Sequence, residues 1–302
     1  MTTRRDILIG GLALLGAGLP RPAGALGRFP AGDAEIIVVS DGRMNLPIAS
    51  MFPTLGDAER DALLAQNHMP TDGYRPDCNV TFLRSGDRLA VFDVGAGPNF
   101  LPTTGDLAAN MAEAGIDPAD VTDVIFTHAH PDHLWGLLDD FDELAFPNAD
   151  YRMAEAEWDF WRAEDTLSKM PENRKSFVVG AQNRLAVLEE RIMLFKPGTE
   201  VFPQVEAVDT AGHTPGHVSC MVHDGSGGAT LIVGDAITNA VSFVRPDLET
   251  GSDQDQAMGA ATRVRLLDRL AGDKARLIGF HLPHPGFGIA ERDGSAYRFV
   301  AG

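Results

Sequence analysis

Four donor side chains crowd into six positions, His128, His130, Asp132 and His133, within Thr127-His128-Ala129-His130-Pro131-Asp132-His133. Three imidazoles and a carboxylate at that spacing have little use in packing. Imidazole nitrogen and carboxylate oxygen are good ligands for zinc and similar divalent ions, and a turn following a strand can fan them around a metal. The whole chain holds 9 histidines, so a merely solvated loop is a poor account of three of them here. Further donors follow downstream, each at a strand-to-loop junction. His213 stands in Ala211-Gly212-His213-Thr214-Pro215-Gly216-His217, Asp235 in Leu231-Ile232-Val233-Gly234-Asp235, and His281 in Leu277-Ile278-Gly279-Phe280-His281. The set of seven nitrogen and oxygen donors suffices for two metal ions and a hydroxide shared between them. Paired cations lower the pKa of such a water toward neutrality and polarise a carbonyl or phosphoryl oxygen, which is hydrolysis without a serine or cysteine nucleophile. Asp132 and Asp235 are the candidates to accept or relay the proton.

These residues need strands that end beneath them. Ala34–Ser40 is a β-rich run closing on Asp41-Gly42, and Asn79–Arg84 and Arg88–Val94 flank Ser85-Gly86-Asp87 as a hairpin. Leu107–Ala114 predicts a helix stopped by Gly115, and Val121–Phe126 a buried strand that delivers the histidine cluster. Residues 150–195 differ in character, with Trp158, Trp161, many charges and a Met170-Pro171 break, and read as a helical insertion over or beside the site. Strand character returns at Val205–Val208, Val218–Val222 and Thr230–Val233, followed by an amphipathic helix over Gln254–Leu270 and the apolar Leu277–Phe280. Strands and helices alternating on this scale indicate an α/β layered domain.

Composition narrows the partners. Residues 1–25 read as an export leader of the twin-arginine type: Arg4-Arg5, an uncharged run from Ile7 to Leu19, and the small-x-small pattern Ala23-Gly24-Ala25. The expected product is a periplasmic or secreted domain over residues 26–302, with no membrane attachment after cleavage. The formal charge of −18 opposes nucleic acid and anionic lipid as partners. Cys78 and Cys220 lie in no zinc-type cluster, and two buried free thiols are expected of a protein folded before export.

The succession HxHxDH, GHTPGH, GD and a late histidine resembles the metallo-β-lactamase superfamily, from about Ala34 onward. The resemblance implies an αββα sandwich of two mixed β-sheets with helices on the outer faces and metals at one edge. It implies that His128, His130 and His213 hold one ion, that Asp132, His133 and His281 hold the other, and that Asp235 bridges. Two divalent ions are therefore expected, zinc first, with manganese, iron or cobalt also suited to the set. His217 matches a non-ligand position, Asp93 matches a turn whose carboxylate supports a ligand histidine, and His281 is favoured over His284 because it follows its strand directly. His68 and His223 have no motif around them. Asp235 separates the chain from true β-lactamases, and His130 from diiron flavin-linked reductases, which carry Glu there.

The leader, Ser40-Asp41-Gly42 and His281-Leu282-Pro283-His284-Pro285-Gly286 resemble the branch containing methyl parathion hydrolase and exported lactonases and arylesterases. That branch commonly carries an aromatic at the place of His284, and dimers are common in it, so a homodimer is among the expected partners. The implied substrate is a small lactone, aryl ester or organophosphate triester. A glyoxalase II-like thioesterase shares the ligand set, and a metal-binding protein without turnover is the reading from another class. Phe52, Phe141, Phe146, Trp158, Trp161 and His284 are the candidate substrate contacts.

Overall fold

The computed structural model describes residues 26–302; the leader expected over residues 1–25 lies outside the described residues. One seven-stranded sheet contains, in chain order, β1 (Leu26–Ala31), β2 (Ala34–Arg43), β3 (Asp77–Ser85), β4 (Arg88–Phe92), β5 (Asp123–Ile125), β6 (Asp150–Ala154) and β7 (Ile192–Phe195). It is antiparallel from β1 to β4 and parallel from β4 to β7. The other seven-stranded sheet holds β8 (Glu200–Phe202), β9 (Val205–Asp209), β10 (Val218–His223), β11 (Ala229–Ile232), β12 (Arg276–Ile278), β13 (Phe287–Asp293) and β14 (Ala296–Ala301), also in chain order. Its single parallel pair among the described residues is β11 with β12.

Period-two burial explains why the sheets stack. Along β2, Ile36 and Val38 face the second sheet, where they meet Val205, Val218, Cys220 and Ile278. Ile37 and Val39 face the opposite way, into a core shared with the helices. A strand covered on both faces reads as a continuous apolar run, which Ile36-Ile37-Val38-Val39 is. Each such fully buried side chain contributes about 1.5–3 kcal/mol. The helices are α1 (Asp57–Gln66), α2 (Leu107–Ala114), α3 (Pro131–Leu134), α4 (Glu155–Arg162), α5 (Thr166–Lys169), α6 (Lys175–Val187), α7 (Val241–Val244) and α8 (Gln256–Asp273). Leu107 and Met111 of α2, Trp161 of α4 and Val178, Ala181 and Leu185 of α6 cover the first sheet. Phe243 of α7 and Leu266, Leu267 and Leu270 of α8 cover the second. The architecture is the αββα sandwich, with Cys78 and Cys220 buried and unpaired.

One expectation requires correction. Residues 150–195 are not an insertion: both ends are strands of the first sheet, β6 and β7, and only the connection between them is helical. It is a β–α–β crossover whose helices lie on the outer face, as parallel pairing demands.

Candidate metal centre

Every donor singled out from the sequence sits at or just beyond the C-terminal end of a strand. After β5 the chain turns at Phe126–His130, and Pro131 then opens α3, which brings the His133 ring to 4.1 Å from that of His128. His213 lies in the loop between β9 and β10, Asp235 follows β11, and His281 follows β12. Gly234 must be a glycine: its φ is 55°, and a Cβ there would come within 2.6 Å of His217 Nε2.

Two groups of donor atoms result. His130 Nδ1 lies 3.0 Å from His128 Nε2 and 2.8 Å from His213 Nε2, and Asp235 Oδ2 is 3.2 Å from His213 Nε2. In the second group, His281 Nε2 is 3.2 Å from both Asp132 Oδ2 and Asp235 Oδ2, and His133 Nε2 is 3.1 Å from Asp235 Oδ1. Asp235 thus belongs to both. His130, Asp132, His213, Asp235 and His281 are each at most 6% exposed, and His128 and His133 are fully buried.

Neighbouring groups fix how the rings present themselves. The His133 Nδ1–H donates to Asp93 Oδ2 (2.8 Å), that of His281 to the Asp77 carbonyl (2.9 Å), and that of His213 to Asp253 Oδ1 (3.1 Å). Thr127 Oγ1 gives its hydrogen to Asp93 (2.7 Å) and so accepts from His128 Nδ1 (3.1 Å). Each of these four rings is left with a bare Nε2 turned toward the group, the arrangement typical of ligating histidines. His133 Nε2, Asp132 Oδ2 and Asp235 Oδ1 are buried and crowd against neighbouring donors without a well-aligned hydrogen bond, a costly state unless a cation satisfies them. The residues therefore fit divalent metal ions.

The electrostatics agree. Burial, then the neighbouring rings, hold His128 and His130 well below the usual histidine range, neutral and with lone pairs free. Burial also opposes charge on His133 and His281, but Asp235 and Asp132 outweigh it and hold both rings well above that range. A field that draws protons onto these rings draws a divalent cation more strongly.

Several buried groups support the donors, and of these Glu157 and Asp253 escaped the sequence reading. Glu157 of α4, fully buried, accepts from Ala129 N (2.9 Å), Trp161 Nε1 (2.6 Å), Thr214 Oγ1 (2.6 Å) and Gly216 N (3.0 Å), and so clamps the loops of both histidine motifs. Asp253, holding His213, is itself held by Arg263 NH1 (2.8 Å). Cys78 lies with Asp132 and His281 in a group whose donor atoms are within 4.8 Å of one another. His217, pushed down to about 3 by burial, accepts from Asp235 N (2.9 Å) and positions it.

The expected substrate contacts need correcting. Phe141 is 84% exposed, and Phe52, Phe146 and Trp161 are core residues. Trp158 stacks beneath Arg162, and His284 Nδ1 meets Asn79 Oδ1 at 2.6 Å, away from the donors. The cavity over the centre, about 970 Å³, is lined instead by Met44, Leu46, Met51, Tyr74, Phe100, Phe160, Met170 and Phe177, with His130, Asp132, His213, Asp235 and His281 at its polar end.

Metal-dependent hydrolases are the class this sandwich and its edge-on donor set define. The chain belongs to the metallo-beta-lactamase superfamily, whose model matches residues 73–280. Among solved structures it is similar to AidC, a dizinc quorum-quenching lactonase in complex with a product, at 26% identity and a TM-score of 0.86 over 92% of this chain and 98% of that one. It is equally similar in fold to the hydrolase AbOPH, at 24% identity and TM-score 0.86 over 93% and 98%. An N-acyl homoserine lactonase from Bacillus sp is 25% identical over 161 residues, 51% of this chain and 54% of that protein. The chain thus matches about half the length of that curated relative.

Proposed function

We propose that the protein is a dinuclear metal-dependent hydrolase of small ester-like substrates, a lactone first, with aryl esters and organophosphate triesters as the neighbouring chemistry. The reading is carried by one observation: a cavity of drug-like size, apolar along its walls, has its polar end formed by donors of both metal groups. His128, His130 and His213 would hold one ion, Asp132, His133 and His281 the other, with Asp235 between them. When bound, two such ions, zinc foremost, supply an activated water and polarisation of the scissile carbonyl or phosphoryl oxygen. The carboxylates of Asp132 and Asp235 would take up and return the proton at the polar end of the cavity. The lactonases among its relatives support the lactone as substrate.

The test is turnover by zinc-loaded protein of N-hexanoyl homoserine lactone, p-nitrophenyl acetate, methyl paraoxon and S-lactoylglutathione. Hydrolysis of the lactone or aryl ester is expected. Activity confined to the thioester would replace the reading with a glyoxalase II-like one, and two bound metals with no turnover would leave a metal-binding protein.

A further inference from the structure

The cavity has two cations on its wall, and they differ in one respect. Lys169 is paired with Asp165 at 2.6 Å. Arg174, half-buried at the start of α6, has no carboxylate within ion-pair reach among the described residues. Its NH2 group alone is engaged, donating to the carbonyls of Gly251 (2.6 Å) and Ser252 (3.1 Å). Carbonyl dipoles satisfy two N–H groups, Asp253 acts on the charge only from beyond ion-pair reach and is itself paired with Arg263, and NH1 and Nε are uncommitted. One helical turn on, Phe177 stands 5.9 Å ring to ring from His130. The guanidinium lines the same cavity as the metal donors, near enough for its charge to act on His130, and Met170 and Phe100 line that cavity too. An oxygen brought by the cavity's occupant can take these free N–H groups in place of water.

We infer that Arg174 is a specificity-determining residue that donates hydrogen bonds to a second oxygen of the substrate, an amide carbonyl or carboxylate, while the reacting carbonyl sits at the metal donors. The inference rests on the hydrolase reading above and sharpens it. The preferred substrate has two oxygen functions a few bonds apart and an apolar tail, as an acylamino lactone has. A plain lactone or an aryl ester has nothing to offer Arg174.

The experiment compares wild type with Arg174→Met and Arg174→Lys on two substrates of similar ring and tail, N-hexanoyl homoserine lactone and γ-decalactone. For Arg174→Met, kcat/KM on the acylamino lactone is expected to fall roughly 10- to 100-fold, chiefly through KM, as loss of a charge-assisted hydrogen bond implies. On γ-decalactone it should stay within about 2-fold, and Arg174→Lys should recover part of the loss. Equal losses on both substrates would reduce Arg174 to a brace for the 251–252 loop, and no loss on either would remove it from recognition. Calorimetry with N-hexanoyl-homoserine and with hexanoate separates this from the hydrolase reading. Weaker binding of the first only, in Arg174→Met, sustains the inference even if turnover fails. Absence of wild-type binding to N-hexanoyl-homoserine, or binding equal in wild type and variant, overturns it.

Discussion

Glu157 is the residue whose replacement should reveal how the centre is held together. It is fully buried and accepts four hydrogen bonds, from the backbone of Ala129 and Gly216 and from the side chains of Thr214 and Trp161. In Glu157→Leu the Thr214 hydroxyl can rotate to another acceptor, but the two backbone N–H groups and the indole N–H cannot. Each orphaned buried donor costs about 1–3 kcal/mol. Against this stands relief of burying a carboxylate, whose cost shows in a pKa pushed above the usual range by that burial. With three orphans on one side and one relieved charge on the other, the net loss should be about 3–5 kcal/mol, comparable to breaking a buried ion pair. At roughly 2–4 °C per kcal/mol for a domain of this size, Tm should fall by on the order of 10 °C. Glu157→Gln keeps one acceptor oxygen and turns an amide N–H onto a donor, so it should lose about 1–3 kcal/mol. The assay is urea and thermal unfolding of chelator-treated protein, with zinc affinity measured separately by chelator competition. Ala129 separates two donors and Gly216 follows a third, so zinc affinity should also drop by roughly 10- to 100-fold. A Glu157→Leu protein within 0.5 kcal/mol of wild type, with unchanged zinc affinity, would refute the clamp; that threshold is about the scatter of neutral surface changes.

Asp253→Asn should weaken zinc binding by roughly 10- to 100-fold while far-ultraviolet circular dichroism stays the same, because His213 loses the partner that fixes its tautomer. His281→Ala should cost one equivalent of tightly bound metal by elemental analysis, whereas His284→Ala, its ring engaged with Asn79, should retain both. The Asp41 carboxyl is pushed up to about 7 by burial against its ordinary 3.8, so the native state binds a proton that the unfolded chain releases. Its contribution to stability is complete below about pH 4 and is lost as pH rises through 7. Metal-free wild type should accordingly lose stability relative to Asp41→Asn between about pH 4 and 7 in urea titrations, and a constant difference over that range would contradict the assignment.

The parts of the centre that lie close in sequence were legible, and those assembled by folding were not. His128, His130, Asp132 and His133 declare themselves because one turn carries four donors, and Asp235 and His281 because each ends an apolar run. Glu157 and Asp253 are two among 43 acidic residues, and the histidine loops they hold lie 28 to 59 positions away, so no local pattern marks them. The aromatic wall failed for a related reason. Which ring faces a cavity depends on a helix's rotation: Trp161 turns inward to reach Glu157, whereas Phe160, one residue earlier, lines the cavity. The strands bounding 150–195 were missed because parallel pairing needs no hairpin turn to announce it, and Asp150–Ala154 is short.

The chain-order arrangement of both sheets has a consequence for biogenesis. Each sheet is woven from one uninterrupted part of the described chain, an early and a late one meeting near Pro197-Gly198. Strand neighbours are therefore found locally, and the first part can complete its hydrogen-bond ladder during synthesis before the second emerges. The donors are not so divided: His128 to His133 come from the early part, and His213, Asp235 and His281 from the late one. Neither part alone can assemble either cluster, so a filled centre would register that both have folded and docked.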